Sequence, residues 1–201
     1  MLYISHRINT VRELSELRPD GVELDLRDDT DGRIYLEHEP FRRGEDFEEY
    51  LKCFRGSFMI LNIKSERIEE RVLELVKKYG VPSCFFLDSS FPMIYLLSER
   101  GIRDIALRYS EFEGKDTIRA MAGRCGWIWV DCFSRFPLTR EDFLEFKDMG
   151  YRICIVSPEL QGQQEKLSAY GEYLVRENII PDAVCTKHYN IPAWKKIFGE
   201  E

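Results

Sequence analysis

What the sequence lacks already narrows its reading. None of the six cysteines, Cys53, Cys84, Cys125, Cys132, Cys154 and Cys185, stands in a C-x-x-C pair, which removes the common zinc and dithiol patterns. Four of them lie in apolar strand-like runs, as buried free thiols do in a reducing compartment. No apolar stretch approaches the ~20 residues needed to cross a bilayer. The opening Met-Leu-Tyr-Ile-Ser-His shows no basic leader ahead of an apolar signal core. A cytoplasmic protein with no transmembrane segment is expected. There is no basic run or stripe, and 36 acidic against 29 basic residues give a net charge of −7. General nucleic-acid binding is therefore not expected. No internal repeat or low-complexity segment occurs. Histidine is scarce, with three in the chain.

What is present is a regular alternation of strand and helix. At 201 residues, 44% hydrophobic and 13% aromatic, the chain can bury one substantial core, and a single domain over 1–201 is expected. Strands are predicted at Leu2–His6, Gly21–Leu26, Phe58–Lys64, Cys84–Asp88, Asp104–Arg108, Trp127–Cys132, Arg152–Ser157 and Ala183–Thr186. Amphipathic helices are predicted at Thr10–Leu17, Glu45–Phe54, Arg67–Tyr79, Phe91–Arg100, Lys115–Arg124, Arg140–Met149, Gln163–Glu177 and Ala193–Phe198. Gly80, Gly101, Gly126 and Gly150 read as stops of the third to sixth helices, and Thr139 with Asp142 as a capped start. Helical crossovers make the strands parallel. The expectation is an α/β fold, a single compact eight-stranded parallel (β/α)8 TIM barrel near the lower size limit, with short loops. A doubly wound open sheet is the alternative, but no Gly-rich phosphate loop follows the first strand.

The stretch Gly21–Pro40 carries the densest chemistry. Val22, Leu24 and Leu26 alternate with Glu23 and Asp25, so the two carboxylates share one face. Burying both is costly unless a cation stands between them. Asp31-Gly32 turns the chain, and Arg33-Ile-Tyr-Leu returns as a hairpin arm that delivers His38. On these residues alone, a solvated edge strand with surface charges is an equal reading. In a barrel the working end lies at the strand C-termini. There stand His6-Arg7, Asn62-x-Lys64, Asp88, Arg108, Asp131, Ser157 and Thr186-Lys187-His188, so all three histidines fall at one end. Trp127 and Trp129 read as core rather than as a substrate platform.

His6-Arg7 with Asn9-Thr10, then Glu23-x-Asp25, Asp31-Gly32 and His38, resembles the glycerophosphodiester phosphodiesterase pattern within the phospholipase-C-like phosphodiesterases. The resemblance is dense over residues 3–39, weaker at Asn62-Ile63-Lys64, and touches Pro181–Thr186. It implies His6 and His38 as general acid and base, and Glu23, Asp25 and Asn62 as ligands of a divalent cation, Mg²⁺ or Ca²⁺. Arg7 and Lys64 would contact the phosphate. Ile8 stands where the pattern has glycine, Glu39 where it has aspartate, Asn62 where it has a metal-binding carboxylate, and Lys187-His188 where it is usually acidic. The family's long insertion after the second-strand histidine is missing. The function so implied is metal-dependent hydrolysis of a small-molecule phosphodiester, glycerophosphodiester-like or a lysophospholipid headgroup, by histidine acid/base catalysis. The alternatives are a lyase giving a cyclic phosphate and a non-catalytic barrel that binds a phosphoryl ligand. The oligomeric state is left open. With Asn62 in place of a carboxylate, the cation alone should bind weakly, and a bound phosphodiester should tighten it.

Overall fold

The computed structural model describes residues 1–200. Among them are ten β-strands and eight α-helices, a mixed α/β fold. The chain forms two compact units, residues 4–100 and residues 1–3 together with the chain from Gly101 onward.

In chain order the first unit holds the end of β1 (Leu2–Ser5), α1 (Val11–Leu17), β2 (Gly21–Asp28), β3 (Ile34–Leu36), β4 (Glu45–Asp46), α2 (Phe47–Cys53), β5 (Phe58–Ile63), α3 (Glu69–Lys78), β6 (Cys84–Leu87) and α4 (Phe91–Glu99). Strand β2 lies between β1 and β5, parallel to both, with a six-residue register from Gly21 opposite Phe58 to Leu26 opposite Ile63. Strand β6 continues the parallel ladder beyond β5. All six residues of β5 and the first six of β2 are buried, as expected for central parallel strands covered on both faces. Val22, Leu24 and Leu26 supply the apolar face of β2. Helix α3 buries Val72, Leu75 and Val76 and places Glu69 and Glu70 in its first turn and Lys77 and Lys78 in its last. Those charges complement the helix dipole.

The hairpin arm forms as expected, with β3 antiparallel to the end of β2 and Arg27 opposite Tyr35. Strand β4 was not foreseen. Glu45 and Asp46 were expected to open a helix, yet they pair with Leu36 and Tyr35. Gly44 explains the difference: a Cβ there would lie 2.0 Å from the Leu36 carbonyl oxygen. The backbone must pass the strand at close range, so the helix begins only at Phe47, capped by the Asp46 carboxylate on the Glu49 N–H.

The second unit holds β7 (Ala106–Tyr109), α5 (Asp116–Ala120), β8 (Trp127–Val130), α6 (Arg140–Asp148), β9 (Arg152–Val156), α7 (Leu167–Arg176), β10 (Ala183–Thr186) and α8 (Ile191–Ile197). Strands β7, β8, β9 and β10 pair in that order, all parallel. Leu2 of β1 belongs to this unit and donates its N–H to the Asp182 carbonyl at 3.0 Å. The fifth helix is shorter than expected, and Gly126 is not its stop. The chain instead turns at Gly123, with φ +75°. Gly126 serves a close approach, since a Cβ there would meet the Arg103 carbonyl oxygen at 2.8 Å. Gly80, Gly101 and Gly150 do hold positive φ after their helices, and the Thr139 hydroxyl accepts the Asp142 N–H as its cap.

Candidate functional site

Six of the seven residues singled out from the sequence stand close together at one end of the first unit. Strand alternation turns Glu23 and Asp25 to the same side of β2, and both are buried, at 1% and 0% exposure. The β2–β5 register sets Asp25 opposite Asn62. The Asn62 amide donates to Glu23 Oε1 at 2.8 Å. Residue Arg7 takes a left-handed backbone, φ +55°. This turn points its N–H at Glu23 Oε2, 2.8 Å away, and brings its guanidinium Nε to 3.8 Å from Asp25 Oδ2. The Nε2 atom of His6 lies 3.7 Å from Glu23 Oε2, a distance for ion pairing when the ring is protonated. Lys64 Nζ is 3.8 Å from Asp25 Oδ1 and 3.2 Å from Asp88 Oδ2.

Burial dominates the electrostatics of the pair. Loss of solvent pushes the Glu23 carboxyl above its ordinary range, opposed by the Asn62 and Arg7 hydrogen bonds. Loss of solvent also raises Asp25, and the neighbouring Glu23 charge raises it further. Two oxygens in this cluster, Asp25 Oδ1 and Asn62 Oδ1, are buried and accept no hydrogen bond. A buried acceptor left unmade costs about 1–3 kcal/mol. Both oxygens sit on paired positions of neighbouring strands, and both are hard donors suited to Mg²⁺ or Ca²⁺. The donor set thus fits a hard divalent cation. It holds two carboxylates and an amide; among the described residues no group of three or more His, Cys, Asp or Glu is arranged to hold a metal.

His38 follows β3 on the loop that leads to Gly44. Its Nδ1 is 2.8 Å from Glu39 Oε1. That hydrogen bond holds the Glu39 carboxyl below its usual range. An ionised carboxylate only accepts, so Nδ1 is the donor in this hydrogen bond and Nε2 takes no part in it. Glu39, which stands where the resembling pattern has aspartate, thus fixes the orientation of the His38 ring. Ile8, at the pattern's glycine, is a buried core residue, and the tight backbone turn falls at Arg7 instead.

Two residues of this cluster carry more than the sequence assigned to them. Asn9 donates its amide to Asp25 Oδ2 and accepts the Asp25 N–H, both at 2.9 Å. Its place in the Asn9-Thr10 motif was the available signal. Arg27 donates to the carbonyls of Glu37 at 3.1 Å, His38 at 2.8 Å and Lys64 at 2.9 Å. It ties the histidine loop to the end of β5. Nothing in its spacing marked it, since a charged residue at a strand end usually reads as solvated.

In the second unit the polar residues form networks of their own. Asp131 accepts from Arg108 at 2.6 Å, Gln161 at 2.8 Å, the Cys132 N–H at 2.9 Å and Trp129 at 3.3 Å. With both oxygens occupied it is no ready metal ligand, and Arg108 is committed to it. Glu159 gathers Ser157, Thr186 Oγ1 and the Lys187 N–H, while His188 opens a short 3₁₀ turn after β10. Trp127 and Trp129 are buried, as expected.

No protein-family model matches the chain, and no curated protein matches it in sequence. Solved structures do match. A protein assigned as a glycerophosphoryl diester phosphodiesterase from Silicibacter pomeroyi superposes with a TM-score of 0.68 at 13% identity, over 100% of this chain and 95% of that one. The glycerophosphodiester phosphodiesterase of Thermotoga maritima gives 0.62 at 21% identity, over 96% and 97%. That of Agrobacterium tumefaciens gives 0.62 at 15%, over 92% and 96%. The chain has the β/α-barrel-class fold of these phosphodiesterases along its whole length.

Proposed function

We propose that the protein is a phosphodiesterase that hydrolyses a glycerophosphodiester-like small molecule at the cluster around Glu23 and Asp25. The observation that carries this reading is the pair itself: two fully buried carboxylates with raised proton affinity, approached by His6, Arg7, Asn62 and Lys64. Its likeness in fold to solved glycerophosphodiester phosphodiesterases supports the same chemistry.

Glu23, Asp25 and Asn62 would hold a divalent cation, which when bound supplies charge neutralisation at a phosphoryl oxygen. Arg7 and Lys64 offer fixed positive charge for the anionic diester. His38, with Nδ1 committed to Glu39, exchanges a proton with the attacking or leaving oxygen through Nε2. His6, with Nε2 3.7 Å from Glu23 Oε2, is the second proton carrier. Asn9 and the Asn62 amide keep the carboxylates in orientation.

The test is a screen of glycerophosphodiesters and lysophospholipids with Mg²⁺, Ca²⁺ or Mn²⁺. Activity is expected to vanish in EDTA and to fall roughly 10²–10⁴-fold in His6→Ala and in His38→Ala. Turnover unchanged in both variants would overturn the assignment. Product analysis distinguishes hydrolysis from internal attack, because only the latter gives a cyclic phosphate. If the protein binds phosphodiesters equally well in EDTA and never turns them over, it is a phosphoryl-binding module instead.

A further inference from the structure

The loop that carries His38 ends in Pro40, Phe41, Arg42 and Arg43, all exposed. Phe41 is wholly exposed, at 103%. It also holds φ +61°, directly after a proline, where a turn ordinarily uses glycine. A bulky side chain in the left-handed region is strained. Elsewhere among the described residues this region is held by seven glycines and by Arg7, Arg18, Arg67, Asp88 and Asn178, so Phe41 is the one aromatic residue in it. Phe41 thus bears two costs together, strain and full hydration of a large apolar ring. Of the other exposed phenylalanines, Phe112 rests against Phe133 with ring centres 6.3 Å apart, and Phe91 opens helix α4.

The base of the loop is fixed. Arg27 holds the carbonyls of Glu37 and His38, and Gly44 lies against the Leu36 carbonyl. The tip is therefore presented by a firm support. Its charge opposes that of the molecule: Arg42 and Arg43 are adjacent on a chain of net charge −7, with the Glu39 carboxylate near Arg42 and nothing acidic within residues 40–43 itself. One fully offered aromatic ring flanked by paired arginines is complementary to an anionic bilayer, whose acyl boundary takes the ring and whose headgroups take the guanidinium groups.

We infer that residues 40–43 form a docking tip for an anionic lipid surface, with Phe41 entering the acyl boundary and Arg42 and Arg43 meeting the headgroup phosphates. The binding is weak and reversible, since a single ring and two charges supply it. It goes beyond the phosphodiesterase reading and is measured without turnover, so either can fail alone.

Co-sedimentation with phosphatidylglycerol/phosphatidylcholine vesicles tests it, against pure phosphatidylcholine. The wild type should bind the anionic vesicles, less at about 0.5 M salt. Phe41→Gly should lose about tenfold in partitioning while its Tm holds or rises, because glycine relieves the strain. The double variant R42Q/R43Q should lose about tenfold on anionic vesicles alone. In Phe41→Trp the new indole should be quenched by brominated lipid, because Trp127, Trp129 and Trp194 are buried. The inference is overturned if the wild type ignores anionic vesicles, if both loss variants bind as well as wild type, or if the Phe41→Trp emission is untouched by brominated lipid. A concentration-dependent dimer abolished by Phe41→Gly would overturn it too, the occupant then being a second copy of the chain.

Discussion

Arg27 shows how one side chain can set the position of two other residues through their backbone carbonyls. Its guanidinium fork satisfies three carbonyls, two of them those of His38 and Lys64. Lysine has the charge but not the fork. Arg27→Lys and Arg27→Met should therefore both lower kcat, by about 10–100-fold, with KM changed far less and the pH profile displaced as His38 loses its fixed setting. A Tm loss with unchanged kcat would instead make Arg27 only a structural tie. Asn62 offers the complementary test. Asn62→Asp adds the charge that the amide lacks, beside an Asp25 oxygen with no hydrogen-bond partner. Calorimetry on the free protein should show cation affinity raised by about tenfold or more. No gain would mean that Asn62 is not a ligand.

Among the elements, the hairpin from β2 to β4 decides where the histidine loop sits, and Gly44 decides the hairpin. Any Cβ at that position meets the Leu36 carbonyl at 2.0 Å. Gly44→Ala should thus cost about 1–3 kcal/mol in chemical denaturation. The Thr139 cap on α6 gives a smaller, local comparison: Thr139→Ala should cost about 1 kcal/mol. These two features also mark what a sequence can disclose. Thr139 with Asp142 was legible because a cap is local chemistry at fixed spacing. The Glu23-x-Asp25 alternation was legible for the same reason, and so was the hairpin turn at Asp31-Gly32. Strand β4 was not, because its cause is a carbonyl on another strand. The fifth helix was over-extended because Gly126 reads as a stop, although its role is to let the chain pass Arg103. Arg27, whose three acceptors lie on two separate segments, could be found only once those segments were assembled.

At the scale of the whole molecule, carboxylates pull stability in opposite directions with pH. Glu111, held down to about 2 by donors from Ser134 and Arg135, favours folding above the ordinary carboxylate range, and that contribution is lost as pH falls. Glu23 and Asp25 are raised, so their contribution is complete below the ordinary range and is lost as pH rises through their folded values. A bound cation replaces those protons. The increase in Tm on adding Mg²⁺ or Ca²⁺ should therefore grow as pH rises above the ordinary carboxylate range. A pH-independent increase would place the cation elsewhere. The joint between Leu2 and Asp182 has a consequence for synthesis on the ribosome. The strand pairs within residues 4–100 can form once Arg100 has been made, whereas Leu2 finds its partner only after Asp182 has been translated. Pairing Leu2 with Asp182 thus closes a ring of high sequence separation, and the second unit is complete only after that closure.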